Sequence, residues 1–388
     1  METRFEGVRA TVRRNLAVVT YAVLCVVGAV RSGYGRLTLS ALARSLPTGC
    51  DQKTRFKRLA RFLAAKPFCP ESMVPALVGL VLGGKPSRRK RGNRRWVPIL
   101  VDQTDLSGIP TLMAGVVHRG RVLPVAFTCY EYAQLRRSQN TLETALLLLI
   151  LASLPKGTEA IFVADRAYGR RQLIRALNQL GQRYLLRCKN KVVLWHEGRK
   201  CFPKDFKAPW GVPTRYARVG YRQNDSEPVD LIVYRERGFK EAWYLLVPAG
   251  SEATLPTDEV VRFYRSRMRI EQGFRDWKTH LGVRGVRLET NRAVRMGRLL
   301  LALTLAYLCL LLMGADDGVQ RGRARFETLR RTPRHGTRRT LSVLSLAMLS
   351  LASPDVADQA WRLLRRIVGQ LARGVPAYHD ELIIEAAA

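Results

Sequence analysis

Acidic side chains are scarce in this sequence. Its 388 residues hold 31 Asp and Glu against 66 Lys and Arg, a formal charge of +35. That surplus exceeds what solubility needs, and its natural partner is a polyanion such as nucleic acid. Charge alone names no activity, since a ribosomal or chromatin-like binder would share it. Histidine is scarcer still: His118, His196, His280, His335 and His379 form no cluster and no H-x-x-x-H spacing, so each reads as a turn or surface residue. The seven cysteines, at 25, 50, 69, 129, 188, 201 and 309, include no C-x-x-C pair, which argues against a zinc site or a disulfide framework. Acids and arginines open the chain and no small-residue cleavage site follows the first apolar run, so no signal peptide is read and the cytoplasm is the expected compartment. The apolar runs Leu16 to Val30 and Leu299 to Met313 are each about 15 residues, short of the roughly 20 a spanning helix needs. Both are expected to be buried core helices, with no membrane partner. There is no internal repeat.

A 47% hydrophobic content supplies an ordinary core, and the length allows two or three domains. The first 85 residues read as a helical domain. Leu39 to Leu46 and Lys53 to Leu63 flank a Pro-Thr-Gly turn as a helix-turn-helix-like pair, and Lys53, Arg55, Lys57, Arg58 and Arg61 give the second helix a face suited to DNA, or simply a solvated basic face. Residues 86–95, with six basic side chains and no apolar period, read as a linker and phosphate-contacting arm. From 96 to 190 the pattern is a strand ("WVPILVD"), a hairpin turning at His118 to Gly120, a helix, a strand ("EAIFVAD"), a helix over Arg170 to Leu180 and a strand over Tyr184 to Cys188. This is a mixed α/β layer. Residues 191–250, rich in Tyr, Val and Trp, read as a β-rich insertion. Helical character returns over 251–315 and in the last segment, 316–388, which carries a basic loop with eight arginines between Arg321 and Arg339.

In so basic a chain, an acid at the end of a buried strand needs a reason, because an unpaired buried carboxylate is costly. Asp102 ends "WVPILVD" and Asp165 follows "EAIFVA". Adjacent strand ends in an open sheet converge on one rim, where a ligand or metal would sit; alternatively each Asp caps a turn. Asp105 is a rival to Asp102, but on a strand it points to the opposite face. A third acid lies in "YRSRMRIEQGFRDWK". At about 100° per residue, Tyr264, Arg267, Glu271 and Lys278 fall within an arc of roughly 60°, with Arg275 on its border. The plain alternative is a surface helix with Glu271 paired to Arg275 at i, i+4. Three carboxylates among cations suit hard divalent ions, which take oxygen ligands and stabilise both oxygens of a phosphodiester displacement.

Tyr264, Arg267, Glu271 and Lys278 match the Y-(2)-R-(3)-E-(6)-K signature without a gap, and at this point the sequence resembles the DDE transposases of the IS4 type across nearly its whole length. "DQT" at 102–104 is similar to the family's D-x-T, and "ADRAYGR" at 164–170 to its second motif, with Ala167 where glycine is usual. The resemblance implies an α/β fold with an RNase H-like catalytic core carrying a β-rich insertion, flanked by a helical amino-terminal DNA-binding domain and a helical carboxy-terminal region. It implies that Asp102, Asp165 and Glu271 bind two Mg²⁺ ions, Mn²⁺ being able to substitute. Tyr264 and Arg267 would hold phosphates beside a flipped base and Lys278 the strand near the cut, with Arg275 and the stacking candidates Trp243, Trp195 and Trp277 nearby. The implied partners are double-stranded DNA, as transposon terminal repeats and as target, and a second copy in a homodimer, with the protein on the nucleoid when bound. An RNase H-like nuclease without strand transfer, and a transposase-derived DNA-binding protein without catalysis, stay open.

Overall fold

The structure, a computed structural model, describes residues 9–29, 37–66, 68–83, 96–118, 120–135, 138–222, 226–239, 241–290, 292–334 and 336–372. The basic segment 86–95 and the hairpin-tip residue Arg119 lie outside the described residues. The fold is mixed α/β. Among the described residues, ten strands form one sheet in the order β3-β2-β1-β4-β5-β10-β9-β8-β6-β7. Its first half comprises β1 (Trp96–Asp105), β2 (Pro110–His118), β3 (Arg121–Cys129), β4 (Glu159–Ala164) and β5 (Arg183–Arg187), with β1 to β3 antiparallel and β4 and β5 parallel to β1. Ile99, Leu100, Phe162 and Val163 are all buried, as a continuous apolar run predicts for strands covered on both faces.

The segment expected as a β-rich insertion adds strands to the first half of the sheet. Its strands β6 (Leu194–His196), β7 (Arg199–Cys201), β8 (Thr214–Tyr221), β9 (Glu227–Tyr234) and β10 (Trp243–Pro248) continue the same sheet, because β10 pairs with β5 at Leu245↔Arg187 and Leu246↔Leu186. Without that pairing β5 would present an open edge, which proteins avoid.

The helices are α1 (Ala10–Gly28), α2 (Leu39–Arg44), α3 (Gln52–Leu63), α4 (Val74–Leu82), α5 (Gln139–Ser153), α6 (Arg171–Gln179), α7 (Thr257–Ser266), α8 (Arg269–Arg275), α9 (Arg292–Ala315), α10 (Asp317–Arg321), α11 (Val343–Ala352) and α12 (Ala357–Ala372). Side-chain caps start several of them: Thr38 accepts from the amide of Ala41, Asp51 from Thr54 and Ser138 from Thr141, each satisfying an otherwise orphaned donor. α9 is the centre of the helical layer, touching α1, α3, α11, α12 and β3. The amino-terminal helices therefore do not stand apart from the carboxy-terminal ones.

The two apolar runs extend into helices of 19 and 24 residues, long and apolar enough by composition to cross a membrane. For α9, however, 94% of the apolar window is buried inside the protein, which is the condition of a core helix. The buried Arg298 is held there by donating to the carbonyls of Leu63 and Phe68, so it closes the end of α3. Gly314, near the end of α9, is passed so closely by the following chain that a Cβ would lie 2.0 Å from the Val343 carbonyl oxygen. Gly314→Ala is expected to destabilise the protein by about 1–3 kcal/mol, an overpacking penalty, read as a lowered thermal midpoint.

Candidate active site

The register of the sheet sets two acids side by side. Val101 of β1 pairs in parallel with Ala164 of β4, and the next residues are Asp102 and Asp165, on strands about 4.8 Å apart. Asp102 Oδ1 accepts from the amide of Gln103 at 2.8 Å, and Asp165 Oδ1 from that of Arg166 at 2.6 Å. The rival, Asp105, caps its own turn by accepting from the amide of Gly108. Ala167 is exposed and has no left-handed backbone, so nothing in this turn demands the glycine usual there.

The third acid arrives on α8. Gly273 faces the sheet there, and a Cβ at that position would make ordinary contacts, 3.4 Å from Val122 and 3.5 Å from Met113, so the approach of the helix does not depend on the glycine. The segment is not one continuous helix as the wheel assumed. α7 ends at Ser266, Arg267 takes a tight turn with its amide on the Tyr264 carbonyl, and α8 begins at Arg269. Arg267 nonetheless reaches the expected place. Its guanidinium, 7% exposed, lies 3.0 Å from Asp102 Oδ2 and 3.3 Å from Glu271 Oε1. The Tyr264 hydroxyl lies 3.5 Å from Asp165 Oδ1, and the guanidinium sits 6.0 Å from the Tyr264 ring. Glu271 pairs with Arg267, and the alternative Glu271–Arg275 pair does not form; Arg275 points to solvent.

Burial raises the Asp102 carboxyl above its ordinary range, and Asp165 and Glu271 add to this, against the Gln103 amide and Arg267. Burial also works against the charge on Arg267, yet its surroundings, Tyr264, Asp165, Asp102 and Glu271, outweigh it and hold the guanidinium firmly protonated. Three carboxylates thus converge on one buried cation.

That arrangement tests the expected metal. An all-oxygen donor set suits a hard divalent ion; Asp102 and Glu271 both bond Arg267, with Asp165 on the neighbouring strand. As they stand, Arg267 supplies the positive charge there. Among the described residues no three His, Cys, Asp or Glu side chains are grouped closely enough to hold an ion. The donors fit in kind but are not drawn together in this arrangement, where Arg267 bonds two of them.

Other expected site residues fall elsewhere. Lys278 lies in a π-helical turn, Asp276–His280, a form often found at functional sites. Burial lowers its pKa, the charge of Asp105 opposing that shift and Arg284 adding to it. Trp243, 6% exposed, packs edge-on against Tyr264 at 5.1 Å, and Trp277 is fully buried against Phe127. Both are core residues, with Trp243 buttressing Tyr264; Trp195 is half-buried in β6. In α3, Arg55 gives its donors to the carbonyls of Arg44, Thr48 and Cys50, and Arg58 donates to Asn15. Arg55 ties the helix pair together and Arg58 ties α3 to α1, while Lys53 and Lys57 remain exposed.

Two features escaped the sequence. Behind the acids, Gln103 accepts from Tyr130 and Gln139, Gln139 also donates to Glu143, and Glu143 pairs with Arg170, which also bonds Asn140. This polar chain fixes the strand bearing Asp102 to the turn that follows Asp165. The signal was Arg170 within the second motif. Further out, a cleft of about 640 Å³ in the second half of the sheet is lined by Trp210, Phe239, Tyr244, Lys204, Lys207 and Arg235. Trp210 is 52% exposed, with the Arg235 guanidinium 4.3 Å from its ring.

Known proteins can be set beside this geometry. No curated protein matches the chain. A solved structure of piggyBac transposase, a synaptic complex with hairpin DNA, is 12% identical with a TM-score of 0.45, covering 96% of this chain and 79% of that one; so distant a likeness carries no argument. The Transposase DDE domain family matches residues 118–309, just under half of the chain. That span holds Asp165, Tyr264, Arg267, Glu271 and Lys278 and begins after Asp102. Through residues 118–309, this chain is similar to the transposases that carry the Transposase DDE domain.

Proposed function

We propose that the chain is a DNA transposase of the DDE kind, similar to the IS4 type, with the strands β3-β2-β1-β4-β5 as an RNase H-like core. The observation that carries this reading is the convergence of Asp102, Asp165 and Glu271 at the carboxyl ends of two adjacent parallel strands. A convergence of carboxylates on a protein with a net charge of +35 suits a phosphodiester substrate better than a small acidic one. Asp102, Asp165 and Glu271 would hold Mg²⁺, two ions in the full site, which when bound would acidify a water or 3′-hydroxyl and neutralise charge on the phosphate.

The rest falls to the protein's own groups. Arg267, released from Asp102 and Glu271, is within reach of a phosphate oxygen, for which its planar fork is suited. Tyr264, held by Trp243, orients Asp165. Lys278 flanks the strand beyond β1. The exposed indole of Trp210 is better placed than Trp243 to stack an extrahelical base, a contact worth roughly 1–3 kcal/mol. Double-stranded DNA, as element ends and target, is the proposed partner, and holding two ends together calls for a homodimer.

A second reading, a DNA-binding protein without catalysis, is favoured by Arg267 neutralising the acids in this arrangement. The test is cleavage and joining of a duplex carrying the element's ends in Mg²⁺ or Mn²⁺, comparing wild type with Glu271→Gln. Cut and joined products from wild type alone, with both proteins binding DNA, support the transposase. Cutting without joining makes it a nuclease, and binding without cutting selects the second reading.

A further inference from the structure

The basic loop of the carboxy-terminal region is a built hairpin. Its root is Glu327, whose side chain is 1% exposed and which accepts from Arg323 and from the amides of Thr340 and Leu341. Beyond the root the two limbs are joined, the Arg330 amide donating to the Arg338 carbonyl at 2.8 Å and Arg338 Nε to the Arg330 carbonyl at 2.9 Å. The tip closes between Arg334 and Thr337, with Gly336 at φ 75°. Glu327 is the only acid between Arg321 and Leu341, and it is used inside the root. Arg325, Arg331, Arg334, Arg338 and Arg339 are exposed, and none has an acidic partner among the described residues. Like charges held together on a pinned hairpin repel one another, and a polyanion that releases its own counterions relieves that repulsion.

The hairpin's place in the fold says where that polyanion runs. α9 begins at Arg292, which donates to the carbonyl of Ser107 just past the end of β1, and finishes at Ala315; the preceding Gly314 accepts from Gln320, which in turn accepts from Arg323 and Arg339 of the hairpin. The 24 residues of α9 make it about 36 Å long at ~1.5 Å per residue. One turn of B-DNA is ~34–36 Å. We infer that the arginine hairpin is a second DNA-backbone clamp, gripping phosphates about one helical turn from the loop that follows β1 and acting only on a duplex long enough to span both. The inference rests on the DNA reading above.

The test uses the triple variant Arg325→Gln, Arg331→Gln, Arg334→Gln, whose side chains make no hydrogen bond or ion pair among the described residues, and the full chain bound to duplexes of 10 and 30 base pairs at several salt concentrations. Each lost phosphate contact lowers the slope of log K against log salt by ~0.9. For the 30-mer the slope is expected to fall by roughly 2–3, so that wild-type affinity drops about 40-fold more than the variant's between 50 and 200 mM salt. For the 10-mer the two proteins should match. The double variant Arg331→Gln, Arg334→Gln should show a proportionate part of the effect, with thermal midpoints unchanged throughout. Equal slopes on the 30-mer overturn the clamp even where wild type binds and cuts. A wild type without salt-dependent binding sinks the DNA reading itself.

Discussion

Asp102→Asn is expected to abolish cleavage and joining, lowering the rate by about 10³-fold or more while DNA binding persists. The substitution keeps the side chain's size and its place beside Gln103 and Arg267, so the strand end should not rearrange. What it removes is one anionic oxygen from a converging set of three. Charge stabilisation of a phosphoryl transition state by ions held there is worth several kcal/mol, and about 4 kcal/mol is a factor of 10³ in rate. Asp165→Asn should behave alike. A variant that retained a tenth of the wild-type rate would show that Asp102 is a turn-capping residue, the bland reading its sequence position always allowed. Because the Transposase DDE domain match begins after Asp102, this residue tests the site most severely.

The largest loss of stability is expected from Asp276→Ala. Asp276 is fully buried, 2.7 Å from both the Arg121 guanidinium and the Tyr307 hydroxyl, with His280 at 3.8 Å. It joins β3, the π-helical turn and α9 in one contact. Removing one partner of a buried pair leaves the other charge uncompensated, and such losses run to about 3–5 kcal/mol. Tyr307→Phe, which deletes a single hydrogen bond to a charged group, should lose only about 1.5–3 kcal/mol. Urea unfolding of both variants checks the order; equal effects would show that the pair with Arg121 contributes little.

The pH dependence of that loss has a definite sign. Burial raises the Asp276 carboxyl above its ordinary range against the pull of Arg121, Tyr307 and His280. The folded state therefore binds this proton more tightly than the unfolded one, and the group's contribution to stability is fully present below the unfolded value of ~3.9 and falls as pH rises through the folded one. The penalty of Asp276→Ala should shrink with rising pH over that window. A penalty that grows instead would mean that the pairing with Arg121 outweighs desolvation.

Part of this protein was written locally. The apolar runs before Asp102 and Asp165 specify buried strands, and two such runs capped by acids put the carboxylates on one rim once the strands are parallel neighbours. The Tyr264, Arg267 and Glu271 spacing brings those side chains together even though the helix breaks at Arg267, because a turn of three residues and a turn of 3.6 differ too little over seven residues to separate long side chains. Lys278 lies beyond that break, in the π-helical turn Asp276–His280, where a regular 3.6-residue period no longer describes its direction.

The tertiary structure decided the rest, and for one physical reason: a residue type states what a side chain can bond, and only its neighbours state what it does bond. Arg55 and Arg58 carry the same guanidinium as the exposed arginines of the 330–338 hairpin, yet carbonyls claim Arg55 inside the helix pair and Asn15 of α1 claims Arg58. Trp243 and Trp210 are the same indole, one sealed beneath Tyr264 and one open beside Arg235. The strands of 191–250 read as strands in isolation, but whether they formed a separate unit or lengthened the first sheet depended on β10 finding the free edge of β5. The sequence by itself determined the charge, the strand ends and the three acids; packing determined that a single arginine sits among them.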